Sequence, residues 1–409
     1  LFNRAVVRLG DGSPGQILPR FHEEKDSMAN VSGLLYRGGE TPSFLDNLQI
    51  TEACHSELRA ARTKVRQCLR AEFTKASKAD VGFTVRPRFF TQGSFAYRTI
   101  NDPAWTPPQQ MDLDDGTYLP MTFVQGAKPS VAAAAFFTIV DRALQALAKV
   151  EGWIFVKKPT CARLIISEYA HIDVPLYAIP DKEFRLLEKA AQARTFDGAF
   201  DARADSIDRW DALPSDCVLL AHREEDWVAS DPRQINDWFV GAVDVYGERL
   251  RRICRYLKAW RDHHRPHLDR VSSILLMVCA WKVFDDFGRP NVPARDDAAL
   301  LLVARRLPIL LAGPVENPTD PEEKVDARLP DADRRVAIAM AEGLAKELGE
   351  IVEKCFDPQE AVTRLQALFG DRIPDRPDLI DVTKAAYAEV RSHDRRISAA
   401  PVVGKSTSA

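Results

Sequence analysis

Three short stretches hold the residues whose types and spacing could do chemistry: Gly93-Ser94, the triplet Asp112-Leu113-Asp114, and Asp173 within His171-Ile172-Asp173-Val174. In a strand, residues i and i+2 point the same way, so Asp112 and Asp114 would share one face, ~7 Å apart at the backbone. Asp173, on a neighbouring strand, can add a third carboxylate. Hard oxygen donors on a rigid sheet suit two Mg2+ ions, with Mn2+ as a substitute, better than they suit zinc. Two such ions can activate an attacking hydroxyl and stabilise the leaving oxygen of an in-line phosphoryl displacement. Gly-Ser at a strand-to-helix turn offers backbone N–H groups and a hydroxyl to a triphosphate. Each feature is common by itself, since DxD in a strand is usually an exposed polar face and Gly-Ser an ordinary turn. Their order and placement give them weight.

The elements that must hold these residues can be read from periodicity. Ile50 to Ala76 is helical, with Leu58, Val65, Leu69 and Phe73 on one stripe. Val81–Phe90 reads as a strand running into Thr91-Gln92-Gly93-Ser94, and Asn101–Gln110, with three prolines, as a loop. Met111–Pro120 alternates as a strand should, and Ser130–Val150 is an Ala-rich buried helix. Trp153–Lys157, Ala162–Ser167 and His171–Tyr177 are three further strands. Strands on both sides of a helix imply a mixed sheet in an α/β or α+β domain, with α+β as the expected class. After Ser230 strand signals cease. Pro232–Phe239, Val243–Asp262, Ser272–Asp286, Asp296–Leu311, Asp333–Cys355 and Gln359–Phe369 carry helical periodicity, interrupted by an acidic, Pro-rich loop at Gly313–Asp333. The expected domains are therefore a catalytic domain over 28–229, a helical domain over 230–391 and a flexible tail over 392–409. Residues 1–27, rich in Gly, Pro and charge, are expected to lie outside the fold as a non-native or disordered extension.

Composition excludes several classes. The 409 residues carry 45% hydrophobic and 28% charged side chains, which is globular rather than disordered. A net charge of −3 gives no global attraction to nucleic acid or an anionic membrane. No apolar run reaches the ~18 residues that a membrane span needs. Seven cysteines without a CxxC pair suit reduced thiols of a cytoplasmic protein rather than a disulfide framework or zinc site. His263, His264 and His267 are irregularly spaced with no supporting ligands, and read as a polar helix end.

GS, then DxD, then a third Asp on a later strand is the nucleotidyltransferase signature, and the surrounding residues are more specific still. Arg88–Tyr97 (RFFTQGSFAY), Gln110–Met121 (QMDLDDGTYLPM) and His171–Pro180 (HIDVPLYAIP) resemble the bacterial cGAS/DncV-like nucleotidyltransferases. The likeness continues through Ser230–Phe239, Cys254–Asp262 and Ser272-Ser273, and spans roughly residues 50–370. It implies a polymerase-β-like catalytic domain facing a helical domain, with nucleotides in the cleft between. It also implies that Asp112, Asp114 and Asp173 hold the metals, Asp173 helping to deprotonate the attacking hydroxyl. Gln92, Gly93 and Ser94 would then cradle donor phosphates, Tyr97 would stack on a base, and Arg163 would contact nucleotide. Ser230, Lys258, Ser272 and Ser273 would hold base or triphosphate from the helical side.

Lys258 has independent support, because Arg251, Arg255 and Lys258 share one helix face opposite Leu250, Ile253, Leu257 and Trp260. Such a cationic stripe would suit a triphosphate; the plain alternative is a solvated face. The family's acidic residue near the base pocket has no unique counterpart here: gap-free matching gives Glu322, and one small shift gives Asp320. The implied activity joins ATP and GTP into 3′,3′-cyclic GMP–AMP, a second messenger of antiphage defence that switches on an effector such as a phospholipase. A ubiquitin-like conjugation enzyme acting on the C-terminus is a further implied partner. Rival readings are another cyclic di- or trinucleotide, a templateless polymerase, or a nucleotide-sensing module without catalysis. Lack of a long basic surface counts against a polynucleotide acceptor.

Overall fold

The computed structural model describes residues 29–38, 42–80, 86–121, 129–185, 187, 210, 218–224 and 227–382. The expected extension at 1–27 and tail at 392–409 lie outside these residues, as do positions 81–85 of the first expected strand.

A mixed sheet carries the site. In chain order its strands are β1 (Arg88–Gln92), β2 (Met111–Pro120), β3 (Ile154–Lys157), β4 (Cys161–Ser167), β5 (Ala170–Ile179), β6 (Leu219–Leu220) and β7 (Val228–Ala229). Their spatial order is β1-β2-β5-β4-β3, with β6 pairing both β5 and β7. The β2–β5 pair is parallel and the other pairs are antiparallel. A parallel pair requires a long crossover. It is supplied by the segment that includes a helix at Pro129–Glu151 and the β3–β4 hairpin.

Helix α1 (Glu52–Asp80) and a single turn α2 (Gly93–Ala96) precede that crossover helix, α3. The stripe Leu58, Val65, Leu69 and Phe73 is buried with Phe136, Val140 and Leu144 of α3 and with Leu113, Ile172, Val174 and Leu176 of the sheet. Each such side chain contributes about 1.5–3 kcal/mol by leaving water. Every residue of β5 is buried, so the two polar residues it carries, His171 and Asp173, need partners or a ligand.

The second core is helical: α4 (Pro232–Tyr246), α5 (Glu248–His263), α6 (Ser273–Phe287), α7 (Asp296–Ala312), α8 (Asp331–Lys354) and α9 (Pro358–Phe369). Three sequence expectations change here. The helix expected over Val243–Asp262 breaks at Gly247, whose φ of 82° ends α4 and starts α5 at little steric cost to a glycine. The acidic loop is not structureless, since β8 (Glu316–Asn317) and β9 (Asp320–Lys324) pair antiparallel within it. Alternation is invisible in strands of two and five residues that carry no apolar side chain except Pro321. Lastly, Ala29, Val31, Leu34, Leu35, Phe44, Leu45 and Leu48, expected in the catalytic domain, pack into the helical core. Phe44 lies 5.4 Å from the Tyr256 ring and 5.1 Å from Phe369. Asp297 of α7 fastens the segment, accepting from Val31 N at 2.8 Å and Ser32 Oγ at 2.7 Å.

The cationic stripe of α5 is neither open to solvent nor wholly directed at ligand. Arg251 Nε donates to Tyr97 O at 3.0 Å, Arg255 Nε to Asn101 Oδ1 at 2.9 Å, and Lys258 Nζ to Thr99 O. These bonds clasp the segment that follows the Gly-Ser turn and so join the two cores.

Candidate active site

Between sheet and helices lies a cleft of about 1170 Å³, larger than the ~300–1,000 Å³ of single small-ligand sites. It has room for more than one nucleotide. From the sheet side it is bordered by Gln92, Gly93, Ser94, Asp112, Asp114 and Arg163. From the other side come Ser230, Lys258, Ser272, Ser273 and Asp320, while Tyr97 sits at the junction.

Register explains the acidic face. On the parallel β2–β5 pair Asp112 stands opposite His171 and Asp114 opposite Asp173, and on β4 Arg163 stands opposite Asp173. Period two then puts all five side chains on one face. The ligand atoms of Asp112, His171 and Asp173 lie within 4.8 Å of one another. The compact group therefore includes a histidine that sequence reasoning quoted without assigning a role. Applying the i, i+2 rule to His171-Ile172-Asp173, as it was applied to DxD, would have found it.

Asp114 presses against the turn. A Cβ at Gly93 would come 2.1 Å from Asp114 Oδ2, and Gly93 adopts a φ of +69°. Both facts require glycine. Burial pushes the Asp114 carboxyl well above the usual carboxylate range, with the charges of Asp112 and then Asp173 adding to the shift. Asp173 is held by Arg163, whose Nε and Nη2 each donate to it at 2.7 Å. Arg163 thus engages the third carboxylate, where the resemblance implied a contact with nucleotide. The next acid along, Asp115, points away from the site and is satisfied by Arg66 Nε at 2.7 Å and Thr91 Oγ1 at 2.8 Å. It anchors β2 to α1 and β1.

The residues present fit a divalent cation. Asp112 Oδ1 and His171 Nε2 are buried polar atoms without a hydrogen-bond partner, although they approach to 3.0 Å. Three carboxylates share one guanidinium, an imbalance that a cation would relieve.

The remaining expected residues are placed as follows. Gln92 Nε2 donates to Tyr177 Oη at 3.0 Å, leaving its Oε1 unpaired. The Tyr97 ring is 8% exposed and tilted against Phe239 at 6.0 Å, so it serves the helical core as well as the cleft. Ser230 is fixed by its backbone N–H on Val218 O at 3.1 Å. Lys258 is buried, and desolvation above all, with Arg261 and Arg255 nearby, pulls its ammonium down to about 7. Ser272 caps α6, its Oγ accepting from Leu275 N at 3.2 Å, and Ser273 Oγ accepts from Arg261 Nη1 at 2.8 Å. Asp320 borders the cleft but Glu322 does not. Glu323, which no sequence argument singled out, borders it with Asn317, from whose Nδ2 it accepts at 2.6 Å.

A Gly-Ser turn and paired carboxylates on a mixed sheet, facing helices across a two-nucleotide cleft, define a polymerase-β-like nucleotidyltransferase. Comparison with known proteins narrows the class. Residues 87–177 match the family described as cyclic GMP-AMP synthase DncV-like, nucleotidyltransferase domain, and residues 247–382 match cyclic GMP-AMP synthase, C-terminal domain. The chain is 36% identical to a cyclic GMP-AMP synthase of Escherichia coli, over 78% of this chain and 74% of that one. It is 35% identical to the Vibrio cholerae enzyme, over 74% and 71%. The structure of Vibrio cholerae DncV with the linear intermediate 5′ pppA(3′,5′)pG aligns with a TM-score of 0.70 at 28% identity, covering 87% of this chain and 99% of that one. A mutant of the same enzyme in complex with ATP, GTP and 5MTHFGLU2 aligns at 0.72, with the same identity and coverage. The chain belongs to the DncV-like family of nucleotidyltransferases. Among the described residues no helix is long and apolar enough to cross a membrane.

Proposed function

We propose that this protein joins ATP and GTP into 3′,3′-cyclic GMP–AMP by two 3′–5′ transfers in one cleft. The observation that carries this reading is the acidic face of the sheet, where Asp112 and Asp114 border one large cleft together with Lys258 and Asp173 stands beside Asp114 on the neighbouring strand. It is supported by relatives that are cyclic GMP-AMP synthases and by the ATP, GTP and linear-intermediate complexes of the Vibrio enzyme.

In each transfer a 3′ oxygen bonds to the α-phosphorus of the partner nucleotide, pyrophosphate leaves, and the hydroxyl proton passes to a base. Asp173 is that base, and to act it must share or release the Arg163 fork that now covers both its oxygens. Asp112, Asp114 and Asp173 would hold two Mg2+ ions, which when bound supply charge neutralisation for the triphosphate and a lowered hydroxyl pKa. The N–H groups at Gly93 and Ser94 and the Lys258 ammonium bind phosphate oxygens. Lys258 is well suited to this: an ammonium held near neutrality by burial gains a full charge when an anion arrives. Ser230 and Asp320 face the bases. After the first transfer the linear intermediate turns over in the cleft so that its second 3′ hydroxyl meets the same carboxylates.

The product then acts as a cytoplasmic second messenger in antiphage defence and activates an effector such as a phospholipase. The C-terminal residues serve as the attachment point for a ubiquitin-like conjugation enzyme. Mass spectrometry of products from all four NTPs with Mg2+ tests the synthase reading. A phosphatase-resistant product containing one A and one G is expected. An RNA ladder would show a polymerase instead, and nucleotide binding without pyrophosphate release would show a sensor.

A further inference from the structure

His171 sets a ring nitrogen against a carboxylate oxygen with no hydrogen bond between them. Gln110 Nε2 donates to Ser167 O and Glu168 O at 3.2 Å each. That orientation turns Gln110 Oε1 toward His171 Nδ1, 3.1 Å away. An amide oxygen only accepts, so Nδ1 carries the proton, and in the neutral ring Nε2 is a bare lone pair. The ring is buried at 6% exposure, and its Nε2 faces Asp112 Oδ1 at 3.0 Å. In the neutral ring two acceptors would meet here, and neither atom has a hydrogen bond in the structure.

We propose that His171 Nε2 is a nitrogen ligand of the metal site, beside Asp112, and that it biases the site toward Mn2+ over Mg2+. An octahedral ion with bonds of ~2.1 Å places adjacent ligand atoms about 3.0 Å apart, the separation found between these two atoms. The third member of the compact group, Asp173, is also in reach. The Nδ1–H to Gln110 bond is the support a metal-bound imidazole needs, since it fixes both tautomer and ring orientation. Mg2+ takes oxygen ligands almost exclusively, whereas a nitrogen donor favours first-row transition ions. Metal preference would then be written on β5, two residues before the third carboxylate.

The inference rests on the acidic face being a metal site, and the test separates the two. The probe is Mn2+ with inorganic tripolyphosphate, which contains no nitrogen, bound to the full chain and measured by electron spin echo modulation. Wild type is expected to show 14N modulation of a directly bound imidazole, converted to a 15N pattern when only the histidines are 15N-labelled. His171 is the one histidine among the described residues bordering the cleft. His171→Gln should lose the modulation and weaken Mn2+ binding about tenfold or more, with Mg2+ binding changed less, and Gln110→Ala should give a smaller loss. The labelling experiment needs no variant to fold. Bound Mn2+ without histidine modulation overturns the role of His171 alone and leaves the carboxylates as the ligands. No Mn2+ binding at all overturns the metal site with it.

Discussion

The two walls of the cleft treat their polar groups in opposite ways. On the sheet wall, Asp112 Oδ1, His171 Nε2 and Gln92 Oε1 are buried without hydrogen-bond partners, the first two on strands paired on both sides and the last on the edge strand β1. On the helical wall the corresponding groups are engaged: Lys258 with Thr99 O, Ser273 with Arg261, and Ser272 with the first turn of α6. Buried polar atoms left unpaired cost ~1–3 kcal/mol each, so the sheet wall stores a demand for ligand that its rigidity keeps from relaxing. The helical wall stores none and responds to ligand by sharing or exchanging bonds. Chemistry thus belongs to the sheet and adjustment to the helices.

The largest expected effect breaks the sheet wall directly. Asp112→Asn combined with Asp114→Asn should abolish pyrophosphate release while leaving the melting temperature unchanged or raised, because it removes like charges from a buried face. Product formed at near wild-type rate would sink the two-metal assignment. Next comes Gly93→Ala, which sets a methyl against Asp114 Oδ2 at a positive φ. Misplacing the donor cradle by about 1 Å should cost roughly a hundredfold in kcat, read by steady-state pyrophosphate release. Unaltered kcat would mean that the turn does not position the donor.

The helical wall should give smaller and differently shaped losses. Lys258→Met should lower ATP and GTP use together, by about ten- to hundredfold for one charged hydrogen bond. A changed base preference with undiminished turnover would reverse the assignment of phosphate and base sides. The same residue gives a pH signature. Its ammonium titrates near 7 in the free protein, and a bound anion raises that value. Metal-free tripolyphosphate should therefore take up close to one proton per molecule bound at pH 8 and little at pH 6, the uptake vanishing in Lys258→Met. Calorimetry in buffers of different ionisation enthalpy measures this.

Base choice separates two neighbours in the acidic loop. Asp320 is exposed in the free protein, so Asp320→Asn should change the product ratio by about two- to tenfold, the range set by one ordinary hydrogen bond of ~0.5–1.5 kcal/mol. Glu322→Gln, outside the cleft, should leave the ratio within about twofold. Mass spectrometry of mixed-NTP reactions reads both, and equal effects would mean that the β8–β9 hairpin moves on binding. The smallest effect is expected from deleting the last ten residues, which should leave synthesis by purified enzyme unchanged.

What the sequence determined by itself was whatever depends on near neighbours. Alternation at Met111–Pro120 placed Asp112 and Asp114 on one face, and the stripe Leu58, Val65, Leu69 and Phe73 located α1. Helical periodicity separated the second half from the first. Tertiary structure decided what depends on partners far along the chain. Parallel pairing of β2 with β5 set His171 beside Asp112 and Asp173 beside Asp114. Antiparallel pairing of β4 with β5 put Arg163 on Asp173, and packing drew Ala29, Val31, Leu34, Leu35, Phe44, Leu45 and Leu48 into the helical core. The α5 stripe shows the division most plainly: its spacing was legible as Arg251, Arg255 and Lys258, but its partners beyond its own helix include carbonyl and amide oxygens at Tyr97, Asn101 and Thr99. Periodicity reports which side chains share a face; only the folded chain reports what that face meets, because register and docking are set by the summed burial of both cores.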